Sequence, residues 1–168
     1  GTLTTDQVFG IEVFDPANPP VPDNDACLDA SPISELPFAD AQFTLGASSV
    51  GDPMPSCTDG YNNEYSVWYT FTATATETVA LDTFTSEYTT NLTIYTGDCG
   101  QLVEVGCGNE FKLLHAQAGE TYYLLVCSRY GGGGQLQLNA DVLTTWIEGT
   151  VTDDQGNPAP ADIEFGFL

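Results

Sequence analysis

The 168-residue chain holds few side chains that can move a proton or attack a bond. Nucleophilic catalysis of the Ser-His-acid kind needs a base, and His115 is the sole histidine. It stands in Phe111-Lys-Leu-Leu-His-Ala116, an ordinary strand pattern, and no G-x-S-x-G elbow accompanies it, so it reads as a structural or surface residue. The chain has 24 Asp and Glu, and that abundance makes any carboxylate pair for glycoside hydrolysis uninformative. Four successive glycines, Gly131 to Gly134, invite a phosphate-loop reading. No Lys-Ser/Thr follows them and no strand-to-helix context exists, so they read as a flexible hairpin loop. The expectation is a protein that is not an enzyme and carries no cofactor, Ca²⁺ being the one ion kept in view.

The same acids set the class of partner. Against them stand 2 Lys and Arg, giving a formal net charge of −22. Lys112 and Arg129 alone cannot sustain a counterion-release mode of nucleic-acid binding, so DNA, RNA and anionic membrane surfaces are excluded as partners. A surface of one sign stays soluble and gathers cations such as Ca²⁺. No run of 18 or more apolar residues exists and the N-terminus lacks a signal-peptide pattern, so the reading is a mature chain without membrane insertion, its export signal removed.

Cysteines at 27, 57, 99, 107 and 127 show no C-x-x-C spacing, which argues against zinc. Cys99 and Cys107 bracket a short segment that can cross two adjacent strands, so the expected bridges are Cys99 with Cys107 and Cys27 with Cys57. Such bridges imply an oxidising compartment, here extracellular or at the cell surface. Cys127 is left over, either buried and inert or available for an intermolecular bond.

These residues are positioned by strands. Apolar residues recur with period two: Leu136, Leu138, Ala140 and Val142 share one face of a strand whose other face is Gln135, Gln137, Asn139 and Asp141. Runs at 67–73, 78–84, 91–96, 111–116 and 121–128 alternate similarly and are rich in Thr, Val and Tyr, while a short helical turn is plausible only within 26–36, limited by Pro32 and Pro37. The class is all-β, two antiparallel sheets packed as a sandwich. Four prolines within 15–25 mark an extended linker, dividing the chain into a strand and linker at 1–22, a sandwich at 23–143 and a strand extension at 144–168. Both ends carry amphipathic strands, with Phe9, Ile11 and Val13 on one and Ile163, Phe165 and Phe167 on the other.

Asn24-Asp-Ala-Cys-Leu-Asp-Ala30, Ser66-Val-Trp-Tyr-Thr-Phe-Thr-Ala73, Leu81-Asp-Thr-Phe-Thr-Ser86, Leu92-Thr-Ile-Tyr-Thr-Gly-Asp-Cys99 and Ala118-Gly-Glu-Thr-Tyr-Tyr-Leu124 stand in an order and spacing that resembles the bacterial pre-peptidase C-terminal (PPC-like) domain family over about 23–143. The resemblance implies a jelly-roll-like β-sandwich, an accessory module without catalysis on secreted and cell-surface proteins. Some relatives bind calcium through acids near the start of the module, for which Asp23, Asp25 and Asp29 are the nearest candidates here; some bind collagen or polysaccharide. The chain departs from the family at Thr89-Thr90 and at Gly108-Asn-Glu110, where relatives carry further acids. The resemblance also makes the Trp68-Tyr69 pair structural, so core packing outweighs sugar stacking for the aromatics Tyr61, Tyr65, Trp68, Tyr69 and Tyr88. Residues 148–158 resemble the opening of a carboxypeptidase-regulatory-like β module. Asn91-Leu-Thr93 is a glycosylation sequon.

One strand breaks the polar-outside rule. If Tyr122, Leu124 and Val126 face the core, then Tyr123, Leu125 and Cys127 face outward, and something in this chain or a neighbouring copy must cover them. With the two terminal strands, this leads to the first expectation: a structural subunit that joins copies of itself into a cell-surface filament or layer by strand addition. The alternative is a secreted accessory module that binds polysaccharide or matrix protein, with or without Ca²⁺.

Overall fold

The computed structural model describes residues 17–58 and 63–143. The terminal strands with Phe9, Ile11, Val13, Ile163, Phe165 and Phe167 therefore lie outside the described residues, as does the 148–158 segment. Among the described residues, nine strands follow a 3₁₀ turn at Cys27–Asp29: β1 Ser31–Ile33, β2 Phe38–Phe43, β3 Val67–Thr72, β4 Glu77–Asp82, β5 Thr90–Asp98, β6 Gln101–Asn109, β7 Phe111–Ala116, β8 Thr121–Ser128 and β9 Gln135–Val142. They form a five-stranded sheet ordered β1-β3-β8-β5-β6 and a four-stranded sheet ordered β2-β9-β4-β7. Every pairing is antiparallel except that of the three-residue β1 with β3. The expected β-sandwich is the observed one. The helical turn expected within 26–36 shrinks to three residues, because Pro32 and its neighbours extend into β1.

The alternation read from the sequence packs the core. Leu136, Leu138 and Ala140 of β9 meet Val79 and Leu81 of β4, and against them lie Val67, Tyr69, Phe71, Leu124, Val126, Leu92 and Ile94 from the other sheet. Fully burying each large aliphatic side chain is worth roughly 1.5–3 kcal/mol, so this layer dominates stability.

Both open sides of the sandwich carry inward-pointing polar groups, a known guard against edge-to-edge association. On one side, Asp40 and Gln42 of β2 meet the Tyr69 hydroxyl, which donates to Asp40 at 2.7 Å and accepts from Gln42 at 2.6 Å. On the other, Lys112 of β7 shares an inward row with Leu81 and Ala140 and lies over Gly106 of β6, where a Cβ would come within 2.8 Å of its Cε. Gly106 and Gly108 stand opposite Ile94 and Leu92, on the core side of β6, so the missing side chains make room for the lysine stem.

Cysteine pairing differs from the expectation. The bridges are Cys27–Cys99 and Cys57–Cys107. Cys99 sits at the β5–β6 turn, whereas Cys107 is in register with Thr93, well along the hairpin, so the two cannot meet. Each instead captures a loop that folds over the outer face of the five-stranded sheet. The loops closed span 72 and 50 residues, worth about 4 kcal/mol each by chain entropy.

Candidate functional site

Those captured loops answer the question posed by β8. Leu125 is buried beside Trp68 and Tyr95, with Cys27, Ala30, Leu102 and Tyr123 packed around them. The segment leading to the 3₁₀ turn is pinned by Asn24, whose backbone oxygen and side-chain amide both bond the backbone of Trp68 at 2.9 Å. Asp52 fixes the second loop, accepting from Trp68 Nε1 at 2.9 Å and Ser66 Oγ at 2.5 Å, and Ser56 bonds Glu104. Leu125 and Cys127 are thus covered in cis and are not contact residues between copies, while Tyr123 is half-buried. Cys127 is a free, buried thiol.

The structure also places two other expected sites. Asn91 is 0% exposed within β5, so its sequon offers no accessible amide for glycosylation. Among the described residues no group of three or more His, Cys, Asp or Glu side chains is placed to hold a metal ion. Asp23 and Asp29 are exposed, and Asp25 accepts the Ser48 N–H at 2.5 Å. Trp68 and Tyr69 are core residues, as expected.

The glycine run is not a slack loop. An added Cβ at Gly133 would stand 2.8 Å from Leu45 and 3.0 Å from Tyr65, and one at Gly134 2.9 Å from a Glu87 carboxylate oxygen. These glycines allow close packing, and Glu87 and Thr44 clamp the loop through Gln135 N and Gly134 O.

The accessible chemistry lies on the outer face of the four-stranded sheet. Register places Asn139, Asp82 and Phe111 in one row across β9, β4 and β7, with Thr78 and His115 in a parallel row. Phe84, from the turn after β4, stacks on Phe111 with ring centroids 5.9 Å apart and an interplanar angle of 6°, and is 62% exposed. Beside the rings, Asn139 Nδ2 donates to Asp82 at 3.1 Å and Thr85 Oγ1 to Gln137 at 3.1 Å. His115 Nδ1 pairs with the Thr78 hydroxyl at 3.0 Å. Around the β7 edge, Phe111 and His115 continue into a cleft of about 640 Å³ between β6 and β7, lined also by Lys112, Thr96, Leu114 and Tyr122. A planar aromatic surface flanked by oriented amide, carboxylate and hydroxyl groups suits a ligand that is apolar on one face and hydroxylated at its rim. Sequence reasoning weighed other aromatics for this role. Phe84 was hidden because the sequence pattern makes it the last residue of a strand at 78–84, whereas β4 ends at Asp82 and Phe84 stands in the turn beyond it.

Residues 23–138 match the family profile described as galactose binding domain-like, of the T9SS-associated type. The chain belongs to this family. The match covers nearly the span of the PPC-like resemblance and bears out a β-sandwich family, though the profile is not that of PPC itself. No curated protein sequence matches this galactose-binding-like domain. Among solved structures it is similar to PliG of Aeromonas hydrophila, a periplasmic lysozyme inhibitor of g-type lysozyme, at 16% identity and a TM-score of 0.42, over 67% of this chain and 95% of that one.

Proposed function

We propose that the chain is a non-catalytic accessory module of an exported protein and binds polysaccharide on the outer face of the β2-β9-β4-β7 sheet. The observation that carries this reading is the exposed Phe84–Phe111 stack lying in line with the Asp82–Asn139 pair. Pyranose rings present C–H faces to aromatic planes and hydroxyls to planar amides and carboxylates, and burial of a ring face adds to the hydrogen bonds. The family description and the two disulfides support the same reading, the bridges through the oxidising compartment they require.

Titration calorimetry of the full chain against galactose-bearing and glucose-bearing soluble polysaccharides tests it. Binding is expected for at least one, weakened about tenfold by Phe84→Ala, about 1.4 kcal/mol. An affinity untouched by both Phe84→Ala and Asn139→Ala moves the site elsewhere, and silence toward every glycan overturns the reading.

A further inference from the structure

A second groove, of about 360 Å³, lies over the outer face of the five-stranded sheet, on the opposite side of the sandwich from the aromatic face. It is lined by the Cys27–Cys99 bridge, Gly51 and Gly100, and its rims are Leu28 and Val50, 86% and 94% exposed. Two large aliphatic side chains exposed beside the same concavity form a small apolar contact surface. Neither sits on slack backbone. Asp29 N bonds Ala26 O at 2.9 Å and Ala30 N bonds Cys27 O at 3.3 Å around Leu28. Around Val50, its own N–H bonds Ser48 Oγ at 3.1 Å, Asp52 N bonds Ser49 O at 3.3 Å, and Ser48 N is held by Asp25. The rims are therefore preorganised, and a partner would not have to order them.

Charge decides the occupant. The charged residues lining the groove are Asp25 and Asp52, and Asp29 and Asp98 adjoin it in sequence. The only two cations of the chain, Lys112 and Arg129, lie on β7 and just after β8. A second copy would bring another net charge of −22 to the same place and be repelled. We propose that this groove docks a basic segment of another protein, whose Lys or Arg stems lie along Leu28 and Val50 with their charged heads toward Asp25 and Asp52. Long cationic side chains suit such a site because stem and head want different surroundings.

The probes are two unstructured peptides of equal charge, one alternating Lys with Leu and one alternating Lys with Ser, titrated into the isotopically labelled full chain by NMR. Expected are chemical-shift changes centred on residues 25–29, 48–52 and 99–101, tighter binding of the Lys-Leu peptide, and about a tenfold loss of its affinity in the Leu28→Ser, Val50→Ser double variant. Binding of the Lys-Ser peptide should not change in that variant. Both substitutions are at exposed positions, and an unchanged thermal midpoint verifies the fold. Equal affinities for the two peptides, shifts spread over the whole acidic surface, or an unaffected double variant would each overturn the proposal and leave only nonspecific attraction.

Discussion

Cys127 shows how far a side chain's surroundings set its chemistry. Burial, then the nearby Asp52 charge, pushes its thiol up to about 12, so almost no thiolate exists at pH 8. Maleimide labelling should be negligible in the native protein and reach one thiol per chain in denaturant with the bridges intact; rapid native labelling would show the covering loops to be open. Asp52 itself is raised above the ordinary carboxylate value by desolvation, partly offset by its bonds from Ser66 and Trp68. The folded chain therefore holds that proton more tightly than the unfolded chain. Its stabilising effect is complete below the ordinary Asp range and is lost as pH rises through the folded value. Unfolding free energy from urea titrations should fall as pH rises above the ordinary Asp range, and fall less steeply in Asp52→Asn. Equal slopes would assign the trend to the other acids. In the sequence, Asp52 was one acid among many. Nothing in its neighbours announces that Trp68 of β3 and Ser66 just before it will claim both its oxygens.

At the level of elements, the strands with clean alternation were legible: β3, β4, β7, β8 and β9 stand close to where the pattern put them. β2 escaped because its inward row carries Asp40 and Gln42 beside Phe38, which breaks the two-residue hydrophobic period while obeying it geometrically. β6 escaped similarly, its inward positions being Gly106 and Gly108 beneath Lys112. These glycines yield a direct test. A Cβ at Gly108 would stand 2.6 Å from the Phe111 backbone oxygen, which cannot swing aside. Gly108→Ala should cost about 1–3 kcal/mol in urea denaturation. Gly106→Ala meets only the end of the Lys112 side chain and should cost less. A tolerated Gly108→Ala would mean that the β6–β7 corner relaxes freely.

For the whole molecule, composition was informative about class and compartment and silent about sites. The charge of −22 argued against nucleic acid from the start, yet the proposed polysaccharide face and basic-segment groove depend on which loops close over which sheet. That closure depends on contacts between residues far apart in the chain, which local periodicity does not encode. The same charge makes a prediction for the fold as a unit. Self-repulsion destabilises the compact state and is screened over about 10 Å at 0.1 M salt. The thermal midpoint should rise by several degrees between 10 mM and 300 mM NaCl, and a flat or falling midpoint would show that the acids are already neutralised, for example by bound divalent ions.

The β5–β6 hairpin also has a bearing on which bridges the protein can hold. Cys99 lies at its turn and Cys107 about 20 Å up the strand. Once the hairpin zips, the shortest-range cysteine pair in the chain is held apart by backbone hydrogen bonds. In the folded chain the hairpin thereby excludes the bridge that proximity in sequence would favour, and leaves both sulfurs to Cys27 and Cys57, whose loops close the outer face.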